Sequence, residues 1–108
     1  IEEEEEEEDD NIGQYNIYNG PIHIIDQPRY KYRGVLLDTA NHYIPVKDIK
    51  VILDGMSYNK LNILHWHIID SYSFPYCSIN YPKLCQNGAW HKHLIYNNSM
   101  VKNIVDYD

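Results

Sequence analysis

Arginine is scarce in this chain. Arg29 and Arg33 are the two in 108 residues. No basic stripe forms around them, so the electrostatic footprint of a nucleic-acid binder is missing. No apolar run reaches the roughly 18 residues of a membrane-spanning helix. No signal peptide is visible. No phosphate loop, Cys-x-x-Cys pair or Ser-His-Asp arrangement stands out. The two cysteines, Cys77 and Cys85, stand eight positions apart in a segment that reads as loop. In an oxidising compartment they can pair. Loop geometry, not the count, decides whether they do.

Charge is abundant but badly distributed. The formal net charge is −7, yet residues 1–10 hold seven Glu and two Asp. Over the rest, nine basic side chains face seven acidic ones. An acidic run of this kind is a solvated tail in most proteins and an interaction tail in a few. Residues 1–20 therefore read as an acidic and polar disordered segment. The chain starts at Ile1 and stops at Tyr107-Asp108 without a turn or cap signal, so both ends are expected to be cut.

Residues 21–31 read as a connector, with Pro21 and Pro28 around a short strand candidate, Ile22 to Asp26. Tyr32 to Leu37 is the first firm strand. Val35, Leu36 and Leu37 do not alternate with polar residues, which predicts a parallel strand covered on both faces. Pro45 suits a first helical turn, and Asp48 suits the positive end of the helix dipole. Ile49, Ile52, Leu53 and Met56 fall on one helical face. The spacing predicts a helix from Val46 to Asn59. Asn62 to Ile69 is a second continuous strand, which completes a βαβ unit. Asp70 to Trp90 reads as a long loop. Asn98 to Asp106 reads as a further helix, with Ser99 as its cap.

Two carboxylates end the predicted strands. Asp70 follows the second strand and Asp38 the first. In a parallel barrel the carboxyl ends of strands form the active-site face. The bland alternative for each is an Asx turn or a helix cap. His65 and His67 lie two apart on one strand, so they share a face. Two histidines are too few for a metal centre, and His91 and His93 form a second such pair in a loop. Hydrogen-bonded structural roles suit both pairs better. Tyr72, Phe74, Tyr76, Tyr81 and Trp90 fit either sugar stacking or loop packing. Asn97-Asn98-Ser99 is a glycosylation sequon on Asn97.

Several strings carry a family likeness: Pro28-Arg29-Tyr30, Arg33-Gly34 through Leu37-Asp38-Thr39, His42-Tyr43-Ile44-Pro45, Tyr58-Asn59-Lys60-Leu61-Asn62 into His65-Trp66-His67, Ser73-Phe74-Pro75, and Tyr81-Pro82-Lys83-Leu84. From Ile24 to about Tyr107 the chain resembles the β-N-acetylhexosaminidases of glycoside hydrolase family 20. The resemblance implies an α/β fold, the first two strand–helix units of a (β/α)₈ barrel in residues 32–108. A complete barrel needs roughly 250 residues. It implies removal of terminal N-acetylglucosamine or N-acetylgalactosamine with retention, the substrate's acetamido group being the nucleophile. The Asp-Glu pair of that mechanism lies beyond this chain, so the chain alone is expected to be inactive.

The same resemblance gives Asp70 a supporting catalytic role, orienting a later histidine and through it the acid/base Glu. It gives position 41 a substrate-binding role. There the family usually carries Arg and this chain has Asn41, which loses the charge and the fork. Arg33 sits at the opposite strand end and reads as structural. No cofactor or metal is implied. The implied partners are N-acetylhexosamine-terminated glycans, with a dimer possible for the full enzyme, and the implied residence is lysosomal or secreted. The competing reading is a non-catalytic remnant or carbohydrate-binding derivative of that fold; a metal-dependent hydrolase ranks behind both.

Overall fold

The computed structural model describes Asn16 and residues 18–107, so the acidic run lies outside the described residues. The elements in chain order are β1 (Gly34–Asp38), α1 (Val46–Tyr58), β2 (Ile63–His67), β3 (Tyr76–Cys77), α2 (Pro82–Gly88), β4 (Tyr96–Asn97) and α3 (Asn98–Val105). β1 and β2 pair in parallel, Gly34 opposite Ile63 and Asp38 opposite His67. β3 and β4 form a second, short parallel pair.

The predicted βαβ unit forms, and its helix buries the predicted face. Ile49 and Met56 are buried, and Ile52 and Leu53 are half-buried. Ile49 joins Tyr96 and Ile104 in the core, with Leu37, Leu64, Trp66 and Val101 packed around them. The expectation of strands covered on both faces is only half met. Leu36 is 60% exposed and its register partner His65 is also exposed. Both helices of the core, α1 and α3, pack on the opposite face, the one presenting Leu37, Leu64 and Trp66.

Three expectations need correction. Residues 22–26 form no strand; Ile24 and Ile25 are exposed and find no pairing edge. The segment from Asp70 to Trp90 is not simply loop. It holds β3 and α2, because Pro82 at the first turn of α2 fixes the backbone for a helix. A disulfide between Cys77 and Cys85 ties these two elements together. Finally, α3 is capped by Asn97 and not Ser99. The Asn97 side chain accepts a hydrogen bond from the Met100 N–H.

The turn after α1 sets the start of β2. Lys60 adopts a left-handed backbone, φ 58°. Lys60 N–H donates to the Ser57 carbonyl and Leu61 N–H to the Met56 carbonyl, which is the Schellman arrangement. Arg33, at the start of β1, then donates to the carbonyls of Lys60 and Tyr30, each at 2.6 Å. Its backbone N–H meets Asn62 Oδ1 at 3.0 Å. The structural role expected of Arg33 is therefore what it performs.

Candidate active site

The carboxyl ends of β1 and β2 lie side by side, and the loop that follows β1 folds back onto β2. Thr39 and Ala40 both donate their N–H groups to the His67 carbonyl, at 2.9 and 3.2 Å. Trp66 Nε1 donates to Thr39 Oγ1 at 2.7 Å. At the loop's far end the Tyr96 hydroxyl accepts from Ile44 N–H at 3.0 Å and donates to the Ile44 carbonyl at 2.6 Å. Residues 39–44 are thus held at both ends, and Asn41 sits between the anchors.

Asp38 and Asp70 each close their own turn. Asp38 Oδ1 accepts from the N–H groups of Ala40 and Asn41, at 3.0 and 3.1 Å. Asp70 Oδ1 accepts from Tyr72 and Ser73, at 2.7 and 3.0 Å. The Asx-turn alternative raised by the sequence therefore holds for both residues. It leaves each Oδ2 free for other work, so the two roles coexist.

Asn41 takes up both free oxygens. Its Nδ2 donates to Asp38 Oδ2 at 2.9 Å and to Asp70 Oδ2 at 2.7 Å. A side-chain amide has two N–H donors and one carbonyl oxygen. Because ionised carboxylates only accept, the amide nitrogen must be the atom facing them. His67 Nε2 lies 3.7 Å from Asp70 Oδ2, near enough for attraction when the ring is protonated. Hydrogen bonding holds both carboxyls below the usual range. For Asp38 the Asn41 side chain is the main cause; for Asp70 it is the Tyr72 N–H, with Asn41 contributing.

Beside Asp70 lies a groove of about 390 Å³ lined by Tyr72, Phe74, Lys83, Leu84 and Asn87, among others. Of the five loop aromatics, Tyr72, Tyr81 and Trp90 are exposed, whereas Phe74 and Tyr76 are half-buried. Only Tyr72 and Phe74 share the groove with Asp70. Among the described residues no group of three or more His, Cys, Asp or Glu could hold a metal ion. His91 and His93 stand with ring centroids 5.1 Å apart, away from both aspartates in the chain.

Sequence reasoning singled out Asp38, Asn41 and Asp70 separately but did not join them. The only signal linking any two of them was the three-residue spacing of Asp38 and Asn41, which suits an Asx turn. Tyr96 was missed altogether. It is one tyrosine among eleven, and nothing in its neighbours marks it as the buried one.

A parallel βαβ unit with carboxylates at the carboxyl ends of its strands is the arrangement from which barrel glycosidases build their active-site face. The chain belongs to glycosyl hydrolase family 20: the model of that family's catalytic domain matches residues 30–108. It is 44% identical over 98 residues to human β-hexosaminidase subunit beta, covering 91% of this chain and 17% of that protein. It is 51% identical over 87 residues to β-hexosaminidase subunit B1 of Dictyostelium discoideum, covering 81% of this chain and 15% of that protein. The structure is similar to the chitobiase of Flavobacterium johnsoniae, with a TM-score of 0.69 and 34% identity over 74% of this chain and 12% of that one. The chain thus spans less than a fifth of the length of each of these relatives.

Proposed function

We propose that the gene product bearing this chain is a β-N-acetylhexosaminidase that removes terminal N-acetylglucosamine or N-acetylgalactosamine from glycans. Residues 32–108 supply the first two strand–helix units of its (β/α)₈ barrel, residues 21–31 a connector from a preceding domain, and residues 1–20 a polar segment. The observation that carries this reading is Asp70 at the end of β2, its Oδ1 fixed by two backbone N–H groups and its Oδ2 held by the Asn41 amide. The acetamido oxygen of the substrate attacks the anomeric carbon, and an Asp-Glu pair outside this chain orients it and supplies the acid/base. Residues 9–108 contain no glutamate, so they cannot supply that acid/base themselves. Asp70 is a positioning residue for it. Asn41 has its amide oxygen available to accept from a sugar hydroxyl.

The test is hydrolysis of a chromogenic N-acetyl-β-glucosaminide by the gene product. Asp70→Asn keeps an oxygen for the Tyr72 and Ser73 N–H groups but sets its amide against that of Asn41. Losing a hydrogen bond to a charged group costs about 1.5–3 kcal/mol, so kcat should fall about ten- to a hundredfold. Undiminished turnover would remove Asp70 from the mechanism. No turnover by the wild type would favour the second reading, a sugar-binding but non-catalytic derivative. The neutral Asn41 is what speaks for that reading.

A secretory route, ending in the lysosome or outside the cell, is supported by the Cys77–Cys85 disulfide. Asn97 is the glycan acceptor on this route. Its Oδ1 takes the Met100 N–H and the Ser99 hydroxyl, which leaves Nδ2, the atom a glycan would occupy, outside both bonds on an exposed residue. A mobility shift on enzymatic deglycosylation, absent in Asn97→Asp, would establish it. Dimerisation belongs to the whole enzyme and calls for sedimentation of the gene product.

A further inference from the structure

We propose that Asn41 is a positioning residue: its side-chain amide is a strut that joins the carboxylates of Asp38 and Asp70 across the ends of β1 and β2, and it does not donate to the sugar. The proposal rests on the reading of Asp70 as part of a glycosidase site, and it is tested below in a way that separates the two.

The argument is one of supply. The amide has two hydrogens, and both are committed, at 2.9 and 2.7 Å. None is left for a substrate oxygen. What the amide has left is one acceptor oxygen. Meanwhile each aspartate has already spent Oδ1 on its own turn. Without Asn41 the two Oδ2 atoms would face each other within two hydrogen-bond lengths and with like charge. Apart from the His67 ring, 3.7 Å from Asp70, no basic side chain stands against either carboxylate among the described residues. Repulsion would then turn Asp70 away from its working position. The loop cannot easily follow that movement, because Thr39, Ala40 and Ile44 are all tied down. Asn41 therefore sets the direction of the Asp70 carboxylate from a loop that is itself anchored.

Two substitutions separate the strut from a sugar contact. Asn41→Asp keeps acceptor oxygens for a sugar hydroxyl but has no donor for the carboxylates at neutral pH. Asn41→Ala removes both. Position 41 is exposed, and far-UV circular dichroism is the check that each variant is folded. In the gene product, the strut predicts that both variants lose kcat about ten- to a hundredfold, with KM changed less than about threefold. It also predicts that the Asp70 carboxyl, followed by carbon-13 NMR, titrates at higher pH in both. Asn41→Asp with wild-type kcat would overturn the proposal, as would an Asp70 titration unmoved in Asn41→Ala. If the wild type turns over no substrate, the glycosidase reading fails, and the carboxyl titration alone decides the strut.

Discussion

The Tyr96 hydroxyl closes a two-way bridge with one residue, accepting from the Ile44 N–H and donating to the Ile44 carbonyl. The phenol is fully buried, stacked on Tyr43 at 4.8 Å and edge-on to Trp66 at 5.1 Å. Burial pushes its ionisation above the ordinary tyrosine range. The bridge is the point at which α3's leading strand grips the loop that carries Asn41.

Tyr96→Phe keeps the ring and removes the bridge. Both Ile44 backbone groups then lose their partner. The expected cost is about 1–3 kcal/mol, seen as a lower urea midpoint with an unchanged slope. A midpoint equal to that of the wild type would mean that water replaces the hydroxyl at no cost.

Acid should weaken the loops at the strand ends. Asp38 and Asp70 both titrate below the unfolded carboxylate value of about 3.9. A depressed carboxyl contributes stability that is complete above the unfolded value. That contribution is lost as pH falls through the folded value. The urea midpoint should therefore hold steady from pH 7 to about pH 5 and drop below about pH 4. Asp38→Asn should flatten that drop, since its amide oxygen still serves the Ala40 and Asn41 N–H groups. An equally steep drop in the variant would assign the acid sensitivity to other groups.

Reduction should loosen the second sheet. The Cys77–Cys85 disulfide closes a short loop between β3 and α2. Chain entropy alone assigns it about 2–3 kcal/mol. Replacing both cysteines by alanine, or adding a reductant, should lower the unfolding midpoint by a matching amount. If the reduced and oxidised proteins unfold together, the link constrains nothing that the helix has not already fixed.

Lys60→Gly should stabilise. Lys60 holds the left-handed position where glycine costs least. Its carbonyl, which Arg33 needs, is untouched by the change. The side chain's ion pair with Asp26 is exposed and worth little. A gain of up to about 1 kcal/mol is expected, and a loss on calorimetry would show that the ion pair outweighs the strain.

Much of this fold was legible in the sequence because it rests on local pattern. Val35 to Leu37 is an apolar run, Ile63 to Trp66 is broken only by His65, and Ile49, Leu53 and Met56 repeat at helical spacing. What escaped was non-local. α2 is a short helix with a polar surface, so it has no periodicity to read; only Pro82 announces it. Tyr96 is buried by partners 30 to 53 positions away in Trp66, Ile44 and Tyr43. The aspartates could be found one at a time, since each ends a strand. Their union through Asn41 could not, because it depends on two loops meeting in space. The preference for Ser99 as cap failed for a simpler reason. Helix ends are ambiguous by a residue or two, and Asn97 offers an equally good acceptor.

Arg33 precedes β1 and Asn41 lies in the loop that follows it, so the strand separates them at roughly 3.3 Å per residue. One end fastens the chain to itself through the carbonyls of Tyr30 and Lys60; the other holds the carboxylates. A change at position 41 therefore leaves the Arg33 fastening intact and removes only what Asn41 gives the two carboxylates. An allele altered there would keep the Arg33 fastening and lose the tie between the two strand ends.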